Sequence, residues 1–192
     1  MPSAIRRSSL VKSRDQLAAM LNEKGLIGEA VEIGVHLGEF AERFLSRWNG
    51  SQMTLVDPWA NLPGYRDRIA ARDRQADYEA CMARIAGVRS TARVKILRET
   101  SREAVERFRD SQLDFVYVDG DHSPESVMFD VSAWWPKIAP GGVLAGHDWF
   151  NEWRPGVEAA VRSVADGPGL TIWTIPDNDN AGSWFIWKPL SN

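Results

Sequence analysis

Residues 31–41 read VEIGVHLGEFA, and the reading of this stretch decides the fold. The run 29–35 is short, apolar and rich in β-branched residues, so it predicts a strand, broken at Gly34. Residues 39–48, EFAERFLSRW, then return to helical period, and Asn49-Gly50 closes that helix. Residues 52–57, QMTLVD, are a second strand. Strand, glycine-bearing loop, helix and strand make a βαβ crossover, which implies a parallel sheet.

The same alternation runs outward in both directions. Upstream, RDQLAAMLNEK (14–24) has apolar positions at helical spacing and Gly25 as its stop. Downstream, strands are predicted over 92–97, 113–118 and 141–146, with helices over 78–85, 101–109, 124–135 and 155–164. Ser123 is a candidate N-cap for the helix at 124. Strands at 170–175 and 183–188 flank a polar turn, 177–182, and form a hairpin. Seven strands with helices between the first six give an α/β layered, doubly wound sheet. It is mostly parallel, with an antiparallel C-terminal strand at its end. Residues 1–28 read as an N-terminal helical extension and 29–192 as one domain. Residues 58–74 are a long polar, basic excursion that suggests a lid.

Composition narrows the function. The chain has 192 residues, 44% of them hydrophobic, and a formal net charge of −3. That balance does not advertise a nucleic-acid binder. The one cysteine, Cys81, allows neither an internal disulfide nor a multi-cysteine zinc site, and reads as a small buried helix residue. No apolar run reaches the roughly 20 residues of a membrane span. The basic N-terminus has no apolar core behind it, so it is not read as a secretory signal. The expectation is a soluble cytoplasmic protein. Nine tryptophans cluster toward the C-terminal half and read first as core. An aromatic-lined acceptor pocket is the alternative.

Four constellations carry chemistry. The first is Glu32-Ile33-Gly34-Val35-His36-Leu37-Gly38, an acidic-x-Gly-x-x-x-Gly pattern after a strand and before a helix. In open α/β sheets ligands bind at this carboxyl edge. A nicotinamide fingerprint would need glycine where His36 stands. Glu32 is unfavourable for phosphate and suits a cationic ligand. The second is Asp57, ending strand two about 20 residues beyond Gly38, a spacing at which an acid accepts from ribose hydroxyls. The third is LDFVYVDGDHS (113–123), which sets Asp119, Asp121 and His122 at a strand end. The fourth is KIAPGGVLAGHDW (137–149), which ends another strand in His147-Asp148. All three histidines of the chain therefore fall on one predicted rim.

VEIGVHLGEFA, LVDPW, LDFVYVDGDHS and PGGVLAGHDW together resemble the class I S-adenosylmethionine-dependent methyltransferases, which have a Rossmann-like fold. Within them the likeness is to the small-molecule O-methyltransferase group of methyltransferase family 24 type, which includes macrolide and aminocoumarin sugar O-methyltransferases. It spans roughly residues 29–188. The resemblance implies S-adenosylmethionine as cofactor, with Glu32, Gly34, Val35, His36 and Gly38 against its amino-acid part. It implies Asp57 on the ribose, Trp59 near the adenosine, and Thr100 and Ser101 beside the adenine. Asp119 would also border the cofactor. On the acceptor side it implies Asp119, His122, His147 and Asp148 as catalytic, with His122 or His147 as general base. Metal-dependent relatives would hold a divalent cation such as magnesium on Asp119 and Asp148, although His147 stands where an oxygen ligand is expected. The expected partners are a small-molecule acceptor, neither nucleic acid nor membrane, with a homodimer left open. Two alternatives stand beside this: an iron-dependent hydroxylase using His122, His147 and Asp148, and a non-catalytic cofactor-binding protein.

Overall fold

A computed structural model describes residues 2–62, 72–90, 92–150, 156–177 and 180–190. Eight strands form one sheet: β1 (Ala4–Arg7), β2 (Glu29–Ile33), β3 (Gln52–Val56), β4 (Arg93–Leu97), β5 (Leu113–Val118), β6 (Ile138–His147), β7 (Thr171–Ile175) and β8 (Ser183–Trp187). Their order is β1-β7-β8-β6-β5-β2-β3-β4. All pairings are parallel except those of β8, which runs antiparallel to both β6 and β7. The hairpin of β7 and β8 is present. Its antiparallel strand is inserted inside the sheet instead of ending it.

The helices are α1 (Leu17–Glu23), α2 (Glu39–Leu45), α3 (Arg74–Ala86), α4 (Ser101–Ala104), α5 (Pro124–Trp134) and α6 (Gly156–Ala165). Ser123 caps α5 as its sequence suggests, its side chain accepting from the Ser126 N–H. The period of two in the strands sorts side chains to the two faces. Ala30, Phe115 and Tyr117 pack under α1, α2 and α3 with Phe40, Phe44 and Cys81. Val31, Ile33, Val116 and Val118 pack under α4, α5 and α6 with Val131, Trp134 and Val161. Helices on both faces make the sheet doubly wound, with its carboxyl edge crossing β3, β2, β5 and β6 as the one place where loops from several strands meet.

Residues 1–28 hold more than a helix. Ala4–Arg7 adds a parallel edge strand against β7, with Ala4 opposite Thr171 and Arg7 opposite Thr174. All four of its residues are exposed, so no apolar pattern announces it. Its ends are tied instead: Ser3 N–H donates to Asp166 Oδ1 (2.9 Å) and Ser8 N–H to the Thr174 carbonyl (2.8 Å). Most of the expected lid (63–71), with Arg66 and Arg68, lies outside the described residues, as does most of the loop after Trp149. No helix among the described residues is long and apolar enough to cross a membrane.

Candidate active site at the carboxyl edge of the sheet

One cavity of about 710 Å³ opens at this edge, within the range of small-molecule and cofactor sites. Glu32, Gly34, Val35 and His36 border it from the β2 loop, and Asp57 from the end of β3. Thr100 and Ser101 approach from the end of β4, and Asp119, His122, His147 and Asp148 from the ends of β5 and β6. Two expected residues do not line it. Gly38 (φ 75°) starts α2 and is held small by Cys81, whose Sγ would lie 2.7 Å from an added Cβ. Trp59 is 2% exposed and sits beneath the loop, its Nε1–H donating to the His36 carbonyl (2.8 Å). It props the loop because an indole N–H must find an acceptor when buried. No tryptophan among the described residues faces the cavity; Trp48, Trp134 and Trp184 are core.

Gly34 has a different task from the one its motif suggests. At φ 82° an added Cβ would sit 2.2 Å from the Asp119 carbonyl oxygen and 2.4 Å from Gly120 Cα. The glycine is needed so that the ends of β2 and β5 can touch, and this brings Glu32 and Asp119 to one wall. Glu32 occupies a position of β2 that period two assigns to the core face, opposite Tyr117 on β5. It is 2% exposed, and its Oε2 has no hydrogen-bond partner among the described residues. Burial, then the negative charges of Asp119 and Asp57, push its pKa well above the usual carboxylate range, against the pull of Arg14 and Arg43. Such a wall rewards a cation.

Asp57 is fixed from three sides. Oδ2 accepts from the His36 N–H (2.9 Å), and Oδ1 accepts from the Trp59 N–H (2.7 Å) and from Arg74 Nη2 (3.4 Å). Arg74, at the end of the basic excursion, is 7% exposed and also pairs with Asp77 at 2.8 Å, as does Arg72. The burial of Asp77 (2% exposed) explains why: its carboxylate needs both guanidiniums. His36, in left-handed backbone (φ 51°), has its imidazole pKa lowered by burial.

Asp119 also belongs to a charge cluster with His122, His147 and Asp148. His122 Nε2 lies 2.7 Å from Asp148 Oδ2 and 3.4 Å from Asp119 Oδ1. His147 Nδ1 lies 3.7 Å from Asp119 Oδ1 and 3.6 Å from Asp148 Oδ1. Asp148 reaches this position with φ 60°, an uncommon conformation for a residue with a side chain. Burial opposes a charge on His122, but the two carboxylates that bond it win and raise its pKa to about 10. At neutral pH it is therefore an imidazolium, which conflicts with the expected role as general base. Asp119, His122 and Asp148 each offer one ligand atom, all within 4.8 Å of one another, a spacing that fits a divalent cation. His147 stands outside this set. The compact set thus holds one imidazole and two carboxylates, not the two imidazoles and one carboxylate expected of an iron hydroxylase.

Sequence reasoning missed Arg14, Arg43, Phe40, Phe129 and Asp130 as cavity residues. Arg14 comes from the N-terminal extension, its N–H donating to Asp177 Oδ1 (2.6 Å). Asp130 did leave a signal. It stands in the apolar stripe of α5 with Val127, Val131 and Trp134, where an acid has no packing reason to be.

A family model described as a methyltransferase domain matches residues 31–149. The chain belongs to this methyltransferase-domain family. Solved structures agree on the fold. A protein from Corynebacterium glutamicum superposes with a TM-score of 0.63 at 19% identity, covering 93% of this chain and 81% of that one. The N-methyltransferase NodS from Bradyrhizobium japonicum, solved with S-adenosyl-L-homocysteine, gives 0.56 at 14% identity, covering 92% and 85%. Spermidine synthase from Thermotoga maritima gives 0.57 at 13%, covering 95% and 59%. In sequence, the uncharacterized protein y4gI of Sinorhizobium fredii is 33% identical over 91 residues, 41% of this chain. The match spans only 10% of that relative's length.

Proposed function

We propose that this methyltransferase-family chain moves the methyl group of S-adenosylmethionine to a hydroxyl oxygen of a small molecule in the cytoplasm. One observation carries the reading. In a single cavity the buried acids Glu32 and Asp57 stand with a His–Asp cluster of Asp119, His122, His147 and Asp148. The acidic wall suits the sulfonium and ammonium charges of the cofactor and repels a pyrophosphate. Asp57 accepts from the ribose, and the β4 loop with Thr100 and Ser101 borders the adenine. NodS, on the same fold, is solved with S-adenosyl-L-homocysteine, which supports the choice of ligand.

In the reaction the acceptor oxygen forms a bond to the methyl carbon as the carbon–sulfur bond breaks, leaving S-adenosylhomocysteine. The hydroxyl proton passes to His147, since His122 already holds one. Asp119 and Asp148 orient both imidazoles. With the His122 proton displaced, Asp119, His122 and Asp148 would hold a divalent cation, whose chemistry when bound would be to acidify the acceptor hydroxyl. Two oxygen donors and one nitrogen suit manganese, iron or zinc better than magnesium.

The test is transfer of labelled methyl from S-adenosylmethionine to a panel of hydroxylated aromatics and sugars, with matched amines, in EDTA or manganese. Label is expected in methyl ethers, falling at least about 100-fold in Asp119→Ala and His147→Gln. Label found on nitrogen alone, or turnover untouched in Asp119→Ala, overturns the assignment. Tight cofactor binding with no turnover on any acceptor favours a non-catalytic role.

A further inference from the structure

Arg14 and Arg43 are out of keeping with the cavity they line. Its acids reward a cation, yet both arginines lie close enough to Glu32 to lower its pKa. The strand order places them. Asp57, Thr100 and Ser101 follow β3 and β4 on one side of β2, and His147 ends β6 on the other. Arg14 is hung on the His147 side. Its N–H donates to Asp177 Oδ1 (2.6 Å), Asp177 Oδ2 accepts from Ser183 Oγ (2.5 Å), and Ser183 is the register partner of His147. The next residue, Asp15, accepts from Arg43 Nε (2.9 Å), so the N-terminal extension and α2 present the two arginines from joined positions. Asp15 is 38% exposed and engages Arg43 through Nε alone; Nη1 and Nη2 of Arg43 make no hydrogen bond with a described residue. Those nitrogens form the fork that fits a carboxylate. Arg14 and Asp15 also lie outside the 31–149 matched by the family model, so this feature is the chain's own addition to the domain.

We infer that the methyl acceptor is an acid, a small hydroxylated molecule whose carboxylate is held by Arg14 and Arg43 while its hydroxyl faces His147. This rests on the methyl-transfer reading above. Two cations beside a site for a sulfonium oppose the cofactor's charge unless an anion lies with them, and a carboxylate on the acceptor supplies it. One negative charge fits this place. A phosphate dianion would also meet Glu32 and Asp119, which repel it. Phe40 lines the cavity three residues before Arg43 on the same face of α2, and gives the body of the acceptor an apolar surface. A site whose arginines expect a carboxylate rejects the neutral analogue, because the guanidiniums are then left without their anion.

The experiment is calorimetry on the full chain saturated with S-adenosylhomocysteine. The titrants are hydroxybenzoates, hydroxycinnamates and uronic acids, each beside its own amide. Wild type is expected to bind an acid of this panel at least about 10-fold more tightly than its amide. In Arg43→Gln and in Arg14→Gln, which keeps the backbone bond to Asp177, the preference should fall to within about 3-fold through weaker binding of the acid. Arg43→Lys keeps the charge without the fork and should retain part of it. The cofactor's amino-acid part is a second source of carboxylate, so S-adenosylhomocysteine is titrated alone as well. Its affinity should stay within about 3-fold of wild type in both Gln variants. A loss there of about 10-fold or more means that the arginines hold the cofactor, and overturns the inference. Acids bound no better than their amides by wild type, or a preference that survives in both Gln variants, overturns it too. Failure of wild type to bind S-adenosylhomocysteine is a different result, and removes the cofactor reading itself.

Discussion

His122 sits between two carboxylates, and its proton is the one whose cost or benefit can be read as stability. Its folded pKa of about 10 lies above the ordinary value of 6.5, so the sign is that of a raised base. The stabilisation is fully present below pH 6.5 and is lost as pH rises through 10. Unfolding free energies from urea denaturation of wild type and His122→Gln at pH 6, 8 and 10 should differ by roughly 2–4 kcal/mol at pH 6 and converge toward pH 10. A gap that stays constant over that range contradicts the protonated state. Manganese should narrow the window, because the ion and the proton compete for Nε2. At this scale the sequence is legible where chemistry breaks a pattern: VDGDHS and GHDW end apolar strands in charge, and all four of their site residues meet. It is illegible where the pattern hides the residue. Arg74 stands in a run of charge that reads as a solvated face, and only its pairing with Asp57 and Asp77 across the fold explains its burial. The proton on His122 could not be read either, because it depends on Asp148 approaching from another strand.

At the scale of elements, the contact of two strand ends decides where the site lies. Gly34 closes β2 against the backbone of Asp119 and Gly120 after β5, and both neighbours of a new Cβ are main chain, which cannot rotate away. Gly34→Ala is therefore expected to lose at least about 3 kcal/mol by urea denaturation. Gly38→Ala should lose less, since its obstruction is the Cys81 side chain, and part of the loss should return in the Cys81→Ala background. Equal losses at the two glycines, with no recovery in Cys81→Ala, would contradict the distinction between main-chain and side-chain obstruction. The strands flanked by apolar alternation were readable to within a residue or two: β2, β3, β4, β5, β7 and β8 all fall where the pattern puts them. Ala4–Arg7 was not, because an edge strand exposed on both faces carries no period-two signal and exists through its pairing with β7. Missing it also hid Arg14, which that strand and Asp177 deliver to the cavity.

For the whole molecule, the doubly wound order of strands follows from the alternation of helix and strand, with one exception. Hairpin geometry makes β7 and β8 antiparallel neighbours, but it does not say that β8 enters between β7 and β6; that is settled by pairing of residues 143–147 with 183–187. Two cores, one on each face, then leave a single edge at which β2, β3, β4, β5 and β6 all end. A buried acidic wall at this edge is what distinguishes a site for a cationic nucleoside from one for a dinucleotide. The most direct measurement is calorimetric titration of the chain with S-adenosylhomocysteine, with NAD as the control, at pH 6 to 9 and with and without manganese. One site of micromolar affinity (about −8 kcal/mol) for S-adenosylhomocysteine and no heat with NAD are expected. The ligand's ammonium should draw Glu32 toward its charged form, against the burial that raises its pKa. No binding of S-adenosylhomocysteine under any of these conditions, or preference for NAD, would contradict the assignment of the cavity.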